Sequence, residues 1–181
     1  AIEATIMFVD VCEFTSITEQ IPANTVVNLL NNFFDQIVKE IIAQNGHVDK
    51  FIGDAVMAIF KGENHQNRAI KAALKIKAQL STAPEISAGN KNFQPQISIG
   101  INSGEMVSGN IGSVSLKRLD YTVIGDSVNT AQRLQSAAKP NQILVNEQVY
   151  LQANAVFTIQ KIGQVMLKNK ALPVTVYEVL A

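Results

Sequence analysis

The sequence predicts an α+β domain with a ferredoxin-like βαββαβ core and a C-terminal α/β extension. Two observations support this: the predicted elements follow the order β-α-β-β-α-β, and further short strands and helices come after them. The chain has 181 residues, and its hydrophobic share of 47% is enough for one buried core. We expect residues 1–181 to be a single domain excised from a longer multidomain protein, because the chain does not begin with Met.

The first elements are a buried strand and two helices. Ala4–Val9 is a continuous apolar run, which is typical of a central strand. Thr15 and Ser16 could cap a short helix that begins at Ile17. Apolar residues then recur at spacings of three and four over Val26–Ile42, which predicts an amphipathic helix.

A hairpin is the next feature. Two short apolar runs, Val48–Ile52 and Ala55–Phe60, flank Gly53 and Asp54. A Gly-Asp pair between runs rich in β-branched and aromatic residues predicts a tight turn between antiparallel strands.

The remaining elements complete the core and the extension. In chain order we predict a helix over His65–Leu80, a polar loop over Ser81–Asn92, a strand over Gln96–Ile101, a strand and extended arm over Asn102–Arg118, a strand over Leu119–Ile124, a helix over Ser127–Ala138, and then strands at Ile143–Val145, Val156–Ile162 and Val174–Val179 with a short helix at Glu147–Leu151.

Composition argues against several classes of function. Fifteen basic and fifteen acidic residues give a net charge of zero, so neither a nucleic-acid surface nor direct membrane contact is expected. Cys12 is the single cysteine, which rules out a disulfide framework within this chain and a cysteine-based zinc site. No apolar run approaches the ~20 residues that cross a bilayer. We expect a cytoplasmic domain whose parent protein could be soluble or membrane-anchored.

Two carboxylates are expected to meet. In a ferredoxin-like core the first and third strands pair antiparallel, so Asp10 at the end of one lies beside Asp54 at the start of the other. Adjacent carboxylates repel unless a proton or cation intervenes. Mg²⁺ prefers oxygen ligands, and the Val11 carbonyl could add one. On these residues alone, a turn Asp and a capping Asp without any metal is an equally open alternative.

A phosphate site is expected beside the carboxylates. The backbone after Asp10 turns into a helix start at Phe14 and Thr15, where exposed N–H groups suit phosphate oxygens. Mg²⁺ next to such a cradle is typical of phosphoryl or nucleotidyl transfer.

Asn129 and Arg133 form a second constellation. They are four residues apart on a predicted helix and therefore share one face. Arginine is suited to spreading charge on a phosphorus transition state. Taken alone, the spacing favours an ordinary surface pair over a functional one.

Four blocks of sequence, in this order, resemble the catalytic domain of class III nucleotidyl cyclases. They are Phe8–Thr15, Val48–Ala58, Tyr121–Arg133 and Leu167–Lys170, and together they span nearly the whole chain. The resemblance implies the cyclase fold and a head-to-tail homodimer with two sites at its interface, to which residues 103–113 and the arm after them would contribute.

The resemblance also implies roles for the two constellations. One subunit would supply Asp10 and Asp54 for two Mg²⁺ ions, with Mn²⁺ as a substitute. The other subunit would supply Asn129 to orient the ribose and Arg133 to stabilise the pentavalent phosphorus.

The triphosphate would be held by a lysine and by the loop after the first strand. By position the lysine is Lys168 in preference to Lys170. The loop residues are Cys12, Glu13, Phe14 and Thr15. Many members of the family carry glycine where this chain has Glu13, and we expect that side chain to point outward because only the backbone is needed.

The base would be read by Lys50 and Thr122. Lysine donates to adenine N1, and the threonine hydroxyl can accept from the 6-amino group. Guanine presents the reverse pattern. The pair resembles that of cyanobacterial-type and bicarbonate-responsive adenylyl cyclases, and ATP is therefore the expected substrate, converted to cyclic AMP and pyrophosphate. The alternatives are a guanylyl cyclase and a non-catalytic, cyclase-like dimerisation module.

Overall fold

The computed structural model describes residues 1–181, which form ten strands and five helices. In chain order they are β1 (Ile2–Val11), α1 (Phe14–Thr18), α2 (Ala23–Ala43), β2 (His47–Ile52), β3 (Ala55–Phe60), α3 (His65–Ser81), β4 (Ile86–Ala88), β5 (Lys91–Phe93), β6 (Ile97–Ser113), β7 (Arg118–Ile124), α4 (Asp126–Ala137), β8 (Ile143–Val145), α5 (Glu147–Ala153), β9 (Ile159–Val165) and β10 (Val174–Val179). None of the helices combines the length and the apolar composition that a membrane crossing requires.

One large sheet organises these elements. Its strands lie in the order β2-β3-β1-β6-β8-β10-β9, and β7 pairs with the far half of β6 to form a two-stranded arm. The first four strands are antiparallel, as in a ferredoxin-like core, whereas β6 and β8 run parallel. The predicted core and its C-terminal extension are therefore confirmed.

The two faces of β1 belong to different cores. Met7, Val9 and Val11 pack into the larger core, which α2 and α3 cover. Ile6 and Phe8 face a smaller cluster beneath α4. Because side chains alternate along a strand, Asp10 shares the α4 face of the sheet.

Helix α4 lies very close to β6. A Cβ atom at Gly100 would come within 2.2 Å of the Gln135 nitrogen and 2.5 Å of the Ala131 carbonyl oxygen. Only glycine fits this approach, which explains a glycine in the middle of a buried strand. The contact fixes the height of α4, and with it the position of Asn129 and Arg133, above the sheet.

The start of α1 differs from the prediction. The helix begins at Phe14 rather than Ile17 and follows Glu13, whose φ of 60° is left-handed. The Ser16 hydroxyl donates to the Glu13 carbonyl oxygen at 2.7 Å, so it bonds backward within the first turn and does not cap a later helix.

Two further boundaries were wrong. The segment predicted as a polar loop contains the β4–β5 hairpin, because buried Ala88 and Phe93 anchor it and Gly89 turns it with a φ of 63°. The strand predicted over Val156–Ile162 is β9, which starts at Ile159 and runs to Val165. The Val156 N–H instead donates to the Ala153 carbonyl oxygen and closes the end of α5.

Candidate functional site

Asp10 and Asp54 lie side by side, as predicted. Asp10 pairs with Ala55 across β1 and β3, so Asp54 follows immediately at the start of β3. Burial and the adjacent Asp54 carboxylate raise the pKa of Asp10 to about 7, against a smaller opposing effect of the Val11 backbone. Asp10 Oδ1 is buried and has no hydrogen-bond partner. Such an atom is costly unless a proton or a cation reaches it.

The donor set fits a hard cation with few protein ligands. No group of three or more His, Cys, Asp or Glu side chains is positioned to hold a metal ion in this chain. Mg²⁺ usually binds through one or two carboxylates and takes its other ligands from water and substrate phosphates. The Asp10–Asp54 pair with the Val11 carbonyl matches that pattern better than that of a closed structural zinc site.

The loop after β1 exposes free backbone donors. The Cys12 N–H donates to the Gln96 carbonyl oxygen at 2.7 Å, and burial raises the pKa of the Cys12 thiol. The next three N–H groups, of Glu13, Phe14 and Thr15, bond to no group of the protein. The Phe14 ring is buried and packs edge-to-face on Phe33, with a centroid separation of 6.1 Å. The anchored loop thus leaves three donors, without Cys12, for an anion.

Arg133 and Lys168 share a cavity. It has a volume of about 540 Å³ and lies between α4 and the segment after β9. Arg133 is about a quarter exposed, and its Nη1 lies 4.0 Å from Asp126 Oδ1. Asn129 is exposed one turn earlier on α4. The helix therefore presents the amide and the guanidinium as the spacing predicted, with Lys168 beside the guanidinium.

Lys170 is engaged elsewhere. Its Nζ lies 2.6 Å from Asp126 Oδ2, and its side chain is only 22% exposed. Lys168 is exposed and pairs with no carboxylate in the chain. Of the two, Lys168 is the cation that is free for a new anion.

Lys50 and Thr122 meet at a residue that sequence reasoning missed. Asp49 Oδ2 accepts from the Thr122 hydroxyl at 2.8 Å and lies 3.4 Å from Lys50 Nζ. The three residues border one cavity of about 470 Å³ between β2 and β7. The only signal in the sequence was the adjacency of Asp49 and Lys50, two charges that a regular strand would send to opposite faces.

The chain keeps the Asp10–Asp54 carboxylate pair apart from Asn129, Arg133 and Lys168, which together form the α4 cluster. Asn102, whose side-chain amide donates to the Ser127 carbonyl oxygen at the start of α4, is the register partner of Ile6 on β1. From there α4 runs along β6 toward Ser98, the register partner of Asp10. The Ser98 hydroxyl accepts from the Gln135 amide at 3.0 Å, so the two groups are separated across the sheet and not along β1. Arg133 and Lys168 lie toward β8 and β10, where Leu167 packs, and not toward β3. No hydrogen bond or ion pair joins the two groups.

Comparison with known proteins gives a consistent result. The sequence pattern of the adenylate and guanylate cyclase catalytic domain matches residues 2–180. The chain is 32% identical over 183 residues to the terminal-differentiation-specific adenylate cyclase of Dictyostelium discoideum, covering 97% of this chain and 8% of that protein. It spans less than a third of the length of the curated relatives it matches.

Solved structures agree with the sequence match. The adenylyl cyclase CyaB from P. aeruginosa has a TM-score of 0.89 at 30% identity, covering 99% of this chain and 94% of that chain. The guanylate cyclase domain of RhGC from Catenaria anguillulae, in complex with GTP, has a TM-score of 0.87 at 25% identity, covering 99% and 97%. The fold, the match along almost the entire sequence and these relatives agree: the chain belongs to the adenylate and guanylate cyclase family, as a class III nucleotidyl cyclase catalytic domain.

Proposed function

We propose that this domain is an adenylyl cyclase, which converts ATP to 3′,5′-cyclic AMP and pyrophosphate at sites shared between two copies of the chain. The observation that carries the choice of base is the meeting of Lys50 and Thr122 at the edge of one cavity. The relatives include both adenylyl and guanylyl cyclases, so the base contacts of this chain decide between them.

The base contacts favour adenine. The Lys50 ammonium has only donors, and adenine N1 is an acceptor. The Thr122 hydroxyl can accept from the adenine 6-amino group. Guanine would place its N1–H opposite the ammonium, and leaving such groups mismatched costs on the order of 1–3 kcal/mol. A guanylyl cyclase is therefore the weaker alternative.

In the proposed reaction the ribose 3′-hydroxyl loses its proton to water, and its oxygen bonds to the α-phosphorus. The bond from that phosphorus to the bridging oxygen breaks and releases pyrophosphate. Asn129 would orient the ribose, and Arg133 would stabilise charge on the α-phosphoryl oxygens. Lys168 and the free N–H groups after Cys12 would hold the terminal phosphates. Mg²⁺ held by Asp10, Asp54 and the Val11 carbonyl would lower the pKa of the 3′-hydroxyl and offset phosphate charge.

A second copy is needed to complete this site. Asp10 and Asp54 lie at β1 and β3, whereas Arg133 and Lys168 lie toward β8 and β10 of the same chain. Head-to-tail pairing would bring the carboxylates of one copy to the α4 cluster of the other. The β6–β7 arm supports such pairing because it exposes several large apolar side chains, namely Val107, Val114, Leu116, Leu119 and Tyr121.

A non-catalytic dimerisation module is the alternative from another class. Such a module would not need to carry the metal-binding carboxylates, the amide and the guanidinium at the same time. Asp10, Asp54, Asn129 and Arg133 are all present, and burial beside Asp54 raises the pKa of Asp10, as is common at functional sites. We therefore favour the enzyme.

The test is turnover of ATP and GTP side by side, with Mg²⁺ or Mn²⁺, over a range of protein concentrations. Cyclic AMP with a specific activity that rises with concentration supports an adenylyl cyclase whose sites are shared across a dimer. Cyclic GMP as the main product would overturn the choice of base. The absence of any product from protein shown to be dimeric would favour the dimerisation module.

A further inference from the structure

Asp49 occupies a β-bulge in the hairpin. Val48 pairs with Ala58 and Lys50 pairs with Met57, so Asp49 is an extra residue without a partner on β3. A bulge redirects the side chains around it. The Asp49 side chain is only 1% exposed, although its neighbour Lys50 is 45% exposed. The bulge therefore turns the Asp49 carboxylate inward, onto the cavity of about 470 Å³ between β2 and β7.

The hydrogen bond to Thr122 has one possible direction. An ionised carboxylate can only accept, and the threonine hydroxyl carries a single proton. The Thr122 hydroxyl therefore donates its hydrogen bond to Asp49 Oδ2, with an oxygen–oxygen distance of 2.8 Å. Thr122 is 7% exposed, so water competes little for the hydroxyl. The groups that Thr122 can still offer to a ligand are its lone pairs.

Lys50 is held by the same oxygen. Its Nζ lies 3.4 Å from Asp49 Oδ2 and keeps further N–H groups free. The edge of the cavity thus presents one donor and one acceptor, and Asp49 fixes both. No other carboxylate contacts either group.

We propose that Asp49 is a specificity-determining positioning residue, which holds Thr122 as an acceptor and Lys50 as a donor and thereby selects adenine over guanine. This inference rests on the proposed function, since it concerns the base that the enzyme takes. Adenine offers a 6-amino donor and an N1 acceptor, which match the fixed pair. Guanine offers O6 and N1–H, which the pair rejects. Without Asp49 the Thr122 hydroxyl is free to turn and donate to O6.

The test measures the preference for adenine nucleotides over guanine nucleotides as a ratio, rather than the rate with either one. We would determine dissociation constants for 3′-deoxy-ATP and 3′-deoxy-GTP, which lack the attacking hydroxyl, and kcat/KM for ATP and GTP. Asp49→Ala should lower the preference for adenine about tenfold, the size of one lost charged hydrogen bond. Asp49→Asn retains an acceptor oxygen and should keep most of the preference. A general folding defect affects both nucleotides alike and leaves the ratio unchanged.

Two further variants keep the result interpretable. Thr122→Ala removes the hydroxyl on which Asp49 acts, so adding Asp49→Ala to it should not change the ratio further. Asp35→Ala removes a carboxylate that pairs with Lys39 at 3.1 Å on the exposed side of α2, and it should leave the ratio at the wild-type value.

The outcomes separate this inference from the proposed function. If the wild type makes cyclic AMP and Asp49→Ala keeps the full preference for adenine, the role of Asp49 is overturned and the proposed function stands. If the wild type makes no cyclic nucleotide but binds 3′-deoxy-ATP in preference to 3′-deoxy-GTP, and Asp49→Ala loses that preference, the cyclase activity is overturned and the role of Asp49 stands. Additive losses in the double variant, or a wild-type preference for the guanine analogue, also overturn the role of Asp49.

Discussion

The Asp10 carboxylate lies beside that of Asp54, and its buried Oδ1 has no donor. Charge at this point is therefore poorly compensated within the chain, and the raised pKa of Asp10 reflects it. The fold maintains this arrangement through the strand pairing of β1 with β3, in which five more residue pairs precede Asp10.

The first prediction links this pair to pH and Mg²⁺. The pKa of Asp10 is about 7 in the folded protein against 3.8 unfolded, so the fold binds the proton more tightly. Without metal, the contribution of Asp10 to stability is therefore present below about pH 4 and is lost as pH rises through about 7. Mg²⁺ competes with that proton, so it should raise the Tm more at about pH 8 than at about pH 5.

Thermal melts at both pH values, with and without Mg²⁺, check this prediction. Asp10→Asn is the matched control because it keeps the shape of the side chain and removes its titration. That variant should show little stabilisation by Mg²⁺ at either pH. An equal Tm shift at both pH values in the wild type would contradict the assignment of the pair as the metal site.

The second prediction concerns sharing of the site. Asp10→Ala and Asn129→Ala should each abolish turnover, because each removes one half of every site while leaving the arm intact. A mixture of the two proteins should regain one working site per mixed dimer, which is at most half of the wild-type activity per such dimer. Cyclic AMP assays after subunit exchange, with exchange verified by differently tagged copies, measure this. No recovery in verified mixed dimers would argue against shared sites.

The third prediction separates the two lysines after β9. Lys168→Ala should lower kcat/KM for ATP by about tenfold or more, because a charge-assisted phosphate contact is lost. Lys170→Ala should act mainly on stability, since Lys170 pairs with Asp126 within the chain. Kinetics and thermal melts of both variants distinguish the effects. A larger kinetic loss in Lys170→Ala would reverse the assignment.

The fourth prediction follows from the left-handed backbone at Glu13. Its φ of 60° costs a non-glycine residue roughly 1–2 kcal/mol, and glycine avoids that cost. Glu13→Gly should therefore raise the Tm by about 2–4 °C per kcal/mol recovered. Glu13→Ala removes the same carboxylate but keeps the Cβ atom, so it should show no such gain. Similar melting curves for both variants would mean that the charge, and not the backbone, matters.

Much of the framework was predictable from local pattern. Continuous apolar runs predicted β1 and β3, and the Gly53-Asp54 turn predicted their neighbour β2, because burial and turn chemistry are local signals. The β4–β5 hairpin and the start of β9 were not predicted, since both depend on what packs against them. The pairing of β9 with β10 places the start of β9 at Ile159, three residues later than the apolar pattern predicted.

The site was predictable to a similar extent. The antiparallel pairing of β1 with β3 was enough to place Asp10 beside Asp54, and helical spacing was enough to align Asn129 with Arg133. Asp49 could not be assigned a role, because a bulge reverses the direction in which a strand pattern points its side chain. The pairing of Lys170 with Asp126 spans 44 positions and has no local signal.

The two halves of the proposed site, the Asp10–Asp54 pair and the α4 cluster, are separated across the sheet, and this has one more consequence. A chain cannot bring them together by bending, because both are built on the same close-packed sheet. In the proposed dimer, their distance is set only by how the second copy docks. Any event that changes the spacing or tilt of the two copies would then change the catalytic rate, without contacting a reacting atom.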